Sequence, residues 1–190
     1  FLDFAASYFA SPVERDKIKA LKADSDEEVE LGYDNNGSIV LQVFKSLSEQ
    51  HVGELSIFKV FNGKLTTGVD LINPTNSTTE RIGQLYVLNG KHRKEVSSLE
   101  AGDIGAVVKL KDTHTGNTLS AKNNRLVLPN IQFPDSVIRA AIQPKAKGDE
   151  DKISSGLHTI HEEDPTLSVN FDPEISQSII AGQGELQLSM

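Results

Sequence analysis

Residues 102–119 constrain the fold of this chain more than any other stretch. Ile104, Ala106, Val108 and Leu110 recur at period two, with Lys109 and Lys111 on the opposite face, the pattern of a strand with one face buried and one wet. The run then enters a polar turn at Thr115-Gly116-Asn117 before Thr118 and Leu119. Such a stretch predicts one arm of a β-hairpin.

The residues before it repeat the theme. Ser38 to Leu47 and Glu54 to Phe61 alternate as strands, and Asn62-Gly63 follows, a dipeptide that tolerates the positive φ of a tight hairpin turn. Further turns fall at Thr67-Gly68, at Pro74-Thr75-Asn76-Ser77 and at Asn89-Gly90, with Val69, Leu71 and Asn73 between the first two and Ile82, Gln84, Tyr86 and Leu88 before the last. Short strands at this spacing predict a small closed or nearly closed β-barrel over residues 34–128, with Arg125 to Leu128 supplying its last strand.

The flanks read differently. Leu2, Ala5, Ala6 and Phe9 recur at i, i+3, i+4 and i+7, which predicts a short amphipathic helix broken at Ser11-Pro12. Val13 to Asn36 is charged, with Asp24, Asp26, Glu27, Glu28 and Glu30 close together, and reads as a solvated linker, so residues 1–33 are expected to be a helix and an acidic linker. These acids lack the glycine-punctuated spacing of a calcium loop.

Beyond Pro129 and Pro134, Val137 to Gln143 reads as a strand. Asp149 reads as the N-cap of a helix that opens on Glu150 and Asp151 and carries the stripe Ile153, Leu157 and Ile160. Pro165 ends it. Leu167, Val169 and Phe171 form a strand that turns through Asp172-Pro173-Glu174, Gln177 to Gly182 the next, and Gly184-Glu185-Leu186 starts a second helix. This β-α-β-β order over residues 129–190 is a ferredoxin-like split βαβ pattern, truncated before its final helix and strand. Glu162, Glu163 and Asp164 crowd the C-terminus of the first helix, where the macrodipole disfavours anions, so a partner surface or another domain is expected to compensate.

Specific residue order carries a resemblance as well. Leu99-Glu100-Ala101-Gly102-Asp103-Ile104, leading into Lys109-Leu110-Lys111-Asp112-Thr113 and Thr115-Gly116-Asn117-Thr118-Leu119, resembles the second domain of bacterial elongation factor G. Gly53-Glu54-Leu55, Val60-Phe61-Asn62-Gly63-Lys64-Leu65, Gly68 and His92-Arg93-Lys94-Glu95-Val96 are similar to the same barrel. Leu2-Asp3 and Tyr8-Phe9-Ala10-Ser11-Pro12 resemble the end of that family's GTP-binding domain. Glu162-Glu163-Asp164-Pro165-Thr166 and Gly182-Gln183-Gly184-Glu185-Leu186 resemble its third domain.

The resemblance implies a mainly β plus α+β protein, a translation-factor β-barrel followed by a truncated ferredoxin-like domain. It implies a parent that is a ribosome-dependent GTPase promoting translocation of transfer RNA and messenger RNA, cytoplasmic and monomeric, holding GTP and Mg in its GTP-binding domain. This segment is then expected to need no cofactor, to dock on small-subunit ribosomal RNA and protein, and to contact the GTP-binding domain in cis through Asp164, Thr166, Gly184, Glu185 and Gln187.

Five positions depart from the family pattern. The family usually has Met at Gln183 and His at Gln187, and its Glu-Thr-Gly-Gln-Thr reads Glu174-Ile175-Ser176-Gln177-Ser178 here. A ribosome recycling or ribosome-protection paralogue is therefore one alternative, and a protein-binding barrel without a translation role is another.

Charge supports a polyanion partner only for the middle of the chain. Residues 1–33 carry eight acids and four bases, 34–134 nine and eleven, and 135–190 ten and four, which gives −4, +2 and −6 and sums to the formal −8. Lys91, His92, Arg93 and Lys94 form the densest basic cluster, and Lys109, Lys111, Lys122 and Arg125 are expected to join it on one side of the barrel. By the resemblance, Lys91 to Lys94 with Lys109 and Lys111 are the candidates for RNA phosphate contact, by charge and shape, since no aromatic stacking platform accompanies them.

Other chemistry finds little footing. No P-loop of the form Gly-x4-Gly-Lys-Ser/Thr occurs, so the segment itself is not expected to be an enzyme, and Gly182-Gln183-Gly184 before a helix is a weak phosphate signal. His158 and His161 lie three apart beside Glu162, a spacing more often found on a solvated helix face than at a metal. No Ser or Thr has a convincing His and carboxylate pair. With no Cys there is no disulfide framework, no apolar run is long enough for a membrane span, and Met190, the only Met, is the last residue, so the chain is expected to be a piece excised from a longer cytoplasmic protein.

Overall fold

The structure, a computed structural model, describes residues 1–25, 27–49, 53–144, 146, 148–173 and 177–189. Asp26 of the acidic run, Glu174, Ile175 and Ser176 of the departing segment, and Met190 lie outside the described residues.

Helix α1 (Leu2–Tyr8) forms where the apolar spacing predicts it, and Leu2 and Phe9 of its stripe stay exposed. The stretch read as a solvated linker is instead a hairpin, β1 (Ile18–Lys22) paired with β2 (Glu28–Leu31). The charges that suggested a linker stand between apolar positions: Ala20 and Leu31 are buried, while Lys17–Glu30, Lys19–Glu28 and Lys22–Glu27 pair across the outer face at 3.4, 2.9 and 2.7 Å. A dense charge run is therefore also the wet face of a two-stranded ribbon.

The barrel follows as β3 (Val40–Glu49), β4 (Gly53–Asn62), β5 (Leu65–Thr66), β6 (Asp70–Asn73), β7 (Thr78–Arg81), β8 (Leu85–Asn89), β9 (His92–Val96), β10 (Ser98–Leu99), β11 (Ile104–Val108) and β12 (Thr118–Ser120). Eight of these form one antiparallel sheet in the order β7-β6-β12-β3-β4-β11-β8-β9, and β5 pairs with β10. Backbone bonds from Gly68 to Ile82 (2.7 Å) and from Ile82 to Val69 (2.8 Å) extend the β6–β7 hairpin beyond the Asp70–Arg81 pair. Leu41, Val43, Phe58, Val60, Leu71, Leu85 and Leu119 fill the interior. A register shift between Val43 and Lys45 leaves Phe44 as an extra residue on β3, 38% exposed, the local signature of a bulge.

β13 (Leu126–Val127) joins β1 instead of closing the barrel sheet, and Leu126, Leu128, Ala20, Leu31 and Val40 make a second small core. Residues 17–31 are thus sewn onto the barrel's end.

The organising stretch departs from its reading in two ways. β11 pairs with β4 and β8, β12 with β3 and β6, so the two strands are not arms of one hairpin. The buried face is also read only in part: Ala106 is fully buried as expected, but Val107 of the opposite face belongs to the barrel core and Ile104 is 55% exposed. Gly105 explains why the inward face was missed. A Cβ there would run into Leu99 and lie 3.2 Å from Phe58 Cζ, so the interior face of the strand carries no side chain at that point, and the apolar run on the other face looks like the core.

The strand stops at Lys109, whose φ of 62° turns the chain and lets Leu110 pack against the core. The arch from 111 to 117 is hung on Glu80, itself 1% exposed. Glu80 accepts hydrogen bonds from the Lys111 amide (2.9 Å), the Asp112 amide (2.8 Å) and the Thr113 hydroxyl (2.8 Å). Asn73, fully buried, donates to the Asn117 side chain at 3.0 Å from below.

The last part comprises β14 (Ile138–Ile142), α2 (Glu150–Glu163), β15 (Ser168–Asp172), β16 (Gln177–Gly182) and α3 (Glu185–Ser189). The sheet is antiparallel in the order β14-β16-β15, with Ile180 and Ala181 of the central strand buried. Asp149 precedes α2 as read, but its carboxylate makes no cap bond and accepts from Lys152 at 2.9 Å. Together these elements are a β-barrel followed by an α+β domain. No helix among the described residues is long and apolar enough to cross a membrane.

Candidate functional site

Three places on the molecule concentrate charge or polar geometry. The first is the β8–β9 hairpin. Asn89 pairs with His92, Leu88 with Arg93 and Val87 with Lys94 around a turn in which Gly90 has a φ of 58°. Lys91, His92 and Lys94 are exposed and Arg93 is half-buried, so four basic-type side chains crown one loop.

Lys109 and Lys111 are exposed too, but they do not join that crown. Tyr86 pairs with Ala106 and Leu85 with Val107, antiparallel, so the hairpin tip rises past the start of β11 while Lys109 follows its end. At about 3.3 Å per residue, Lys109 lies roughly 13 Å along the strands from the level of Lys94. Lys122 and Arg125 are engaged elsewhere, with Asp70 at 3.1 Å and Asp24 at 3.9 Å. The sequence groups these bases by number, but the antiparallel course of β11 against β8 separates them.

The second place brings together three of the residues proposed to face another domain. Asp164 Oδ1 accepts from the Thr166 amide (3.0 Å) and hydroxyl (2.6 Å), and the Gln187 side-chain amide donates to Asp164 Oδ2 (2.7 Å) and Thr166 Oγ1 (2.9 Å). Gln187 Oε1 accepts from the Gln183 amide at 2.7 Å, and the Gln183 side chain donates to the carbonyls of Pro134 (3.1 Å) and Asp135 (2.5 Å). Gly182 makes room, since a Cβ there would fall 2.5 Å from Gln187 Oε1. Gln183 and Gln187 thus tie the start of α3 to the α2–β15 loop and to the segment entering β14. Gly184 and Glu185 stand beside this network at the head of α3, Glu185 exposed.

Burial pushes the Asp164 carboxyl up, but the hydrogen bonds from Thr166 and Gln187, with the Lys45 charge, outweigh it and hold the group below the ordinary 3.8.

The third place lies where the barrel meets α2. His114, in the arch after β11, lies with Nδ1 2.6 Å from Glu162 Oε2 and Nε2 3.3 Å from Asp112 Oδ1. The Ser48 amide of β3 donates to Glu163 Oε1 at 2.5 Å. Burial lowers the His114 pKa, yet the bonds and charges of Glu162 and then Asp112 outweigh that and raise it above 6.5. The acids crowding the end of α2 are compensated by the barrel, which is the one signal that pointed here. His161 is committed to the Leu167 carbonyl at 2.6 Å. Among the described residues no group of three or more His, Cys, Asp or Glu side chains could hold a metal ion.

Two family models match the chain in order. The model described as elongation factor G domain 2 matches residues 39–122, and that described as Elongation Factor G, domain III matches residues 133–190. Among solved structures, a crystal structure of a protein from Thermus thermophilus is similar with a TM-score of 0.70 and 28% identity, covering 81% of this chain and 23% of that one. The chain therefore spans about a quarter of the length of that structure.

Proposed function

Because the chain belongs to the elongation factor G family, we propose that it is the ribosome-docking and interdomain-coupling segment of a ribosome-dependent GTPase that moves transfer RNA and messenger RNA. The observation that carries this reading is the ordered pair of family domains with a basic hairpin projecting from the first.

Phosphates of small-subunit ribosomal RNA are met by Lys91, His92, Arg93 and Lys94 at the hairpin and, separately, by Lys109 and Lys111 at the far end of β11. Two footprints set apart along the strands fix orientation as well as affinity, because a rigid RNA backbone must satisfy both at once. The Asp164, Thr166 and Gln187 network, with Gly184 and Glu185 beside it, faces the GTP-binding domain of the same protein. A small-subunit protein is contacted by the third domain. GTP and Mg are held by the GTP-binding domain, and this segment supplies docking and leverage. The parent works as a monomer in the cytoplasm.

A recycling or ribosome-protection paralogue is the second reading, favoured by Gln183 and Gln187 standing where the family has Met and His. A peptidyl-tRNA movement assay separates the two.

The test uses the chain itself. Co-sedimentation with small ribosomal subunits is expected to weaken by about tenfold or more on K91E/R93E/K94E, with a shallower salt dependence, because fewer counterions are released. Equal binding by the reversed variant across the salt series overturns the assignment of the hairpin.

A further inference from the structure

We propose that a proton-operated clasp holds the barrel and the third domain in register: an imidazolium at His114 bridges Asp112 of the barrel arch and Glu162 of α2, and its deprotonation releases the third domain to swing.

Both ring nitrogens face carboxylate oxygens, Nδ1 toward Glu162 at 2.6 Å and Nε2 toward Asp112 at 3.3 Å. A carboxylate can only accept, so only the doubly protonated ring satisfies both. A neutral ring has one bare nitrogen lone pair aimed at an anion, whichever tautomer it takes.

The surroundings reinforce this. Glu54 on β4, Glu80 beneath the arch, and Glu163 and Asp164 at the end of α2 are acidic, with His158 on α2 and Lys45 on β3 as the nearby bases. Glu54 and His158 line, with Glu162 and Glu163, a cleft of about 130 Å³ between the two parts. His114 itself is half exposed, which gives protons access, while Glu162 is 20% exposed. The arch is pinned to Glu80, so the ring is presented from a fixed base.

A second bond joins the two parts at this seam, from the Ser48 amide to Glu163. With the His114 bridge lost, this bond and the Lys45 charge beside Asp164 are what still hold the seam, so it loosens without parting.

The sign follows from the raised His114 pKa. The clasp's contribution is fully present below 6.5, the value of a free imidazole, and is lost as pH rises through the higher value of the clasped ring. Closure at acid pH and opening at alkaline pH are expected, independently of any ribosome, so this inference stands or falls apart from the docking reading.

The chain has no cysteine, so cysteines introduced at exposed Asn123 of the barrel and Ser155 of α2 take unique spin labels. Pulsed electron–electron distance measurements from about pH 5.5 to about pH 8.5 are expected to show one narrow distance that broadens with a midpoint above that of a free imidazole. H114Q is expected to lose the transition, with barrel amide resonances unchanged, and E162Q, whose carboxamide can pair with a neutral ring, to lose it or to show it with a lowered midpoint. A distribution constant across pH, a transition that survives in H114Q, or an unmoved midpoint in E162Q overturns the proposal. E162Q decides alone if H114Q does not fold.

Discussion

Replacing Glu80 by alanine tests how the barrel presents its third-domain contact. The carboxylate is 1% exposed and receives three donors, the amides of Lys111 and Asp112 and the hydroxyl of Thr113, all within 2.9 Å. A hydrogen bond to a charged acceptor contributes roughly 1.5–3 kcal/mol, so three would sum to about 5 kcal/mol or more if they were independent. Two corrections reduce that. Lys111 and Asp112 are exposed, so water can reach their amides once the carboxylate is gone, and removing a buried anion also removes its desolvation penalty. The net loss for E80A is about 3–5 kcal/mol, and for E80Q, which keeps one acceptor oxygen and the shape, about half of that. Urea unfolding followed by circular dichroism reads it directly. With a slope of about 1–3 kcal/mol per molar, E80A moves the midpoint by roughly 2 M. Since His114 rides on the same arch, its ring resonances should also lose their dispersion in E80A below the unfolding transition. An E80A midpoint within about 0.3 M of the parent would refute the reasoning that the arch is hung on this carboxylate.

Other outcomes follow from the same geometry. G105A drives a methyl into Leu99 and Phe58 and should cost about 1–3 kcal/mol in the same urea experiment, whereas an alanine at Gly83, with nothing within 4 Å, should cost far less. Q187A removes the donor shared by Asp164 and Thr166 and should lower the stability of the third domain by about 1–2 kcal/mol, read by hydrogen exchange in β16. Asp164 has a depressed pKa, so its contribution is present above the ordinary 3.8 and is lost as pH falls through the lower folded value; D164N should flatten the acid limb of a stability–pH curve measured below about pH 4.

The fold was legible wherever pattern and turn chemistry agreed. Asn62-Gly63 and Asn89-Gly90 both mark turns between strands, and the β-α-β-β order after Pro134 is present. The misreadings have local causes. Residues 17–31 read as a linker because ion-paired charges outnumber the two apolar residues, Ala20 and Leu31, that carry the burial. The core-facing side of β11 at Val107 was missed because Gly105, the other inward residue, has no side chain to count, although Ala106 of the expected face is buried too.

The site was legible only in part. Asp164, Thr166 and Gln187 came from the family resemblance and do converge, yet the hydrogen bonds of Gln187 to the other two span 23 and 21 positions, beyond any local pattern. The basic residues were grouped by proximity along the chain, and strand direction parts them. His114 met no motif because its partner Glu162 is 48 residues away. What the sequence did disclose was a misfit, the acids at the negative end of α2, and a misfit of that kind points to a contact without naming it.

The measurement that bears most directly on the central reading is GTP hydrolysis by the full-length parent with and without ribosomes, run on the natural protein and on K91E/R93E/K94E. Strong ribosome stimulation in the natural protein, reduced in the variant and restored by raising ribosome concentration, is the expected result. Hydrolysis unaffected by ribosomes, together with no ribosome binding, would contradict it.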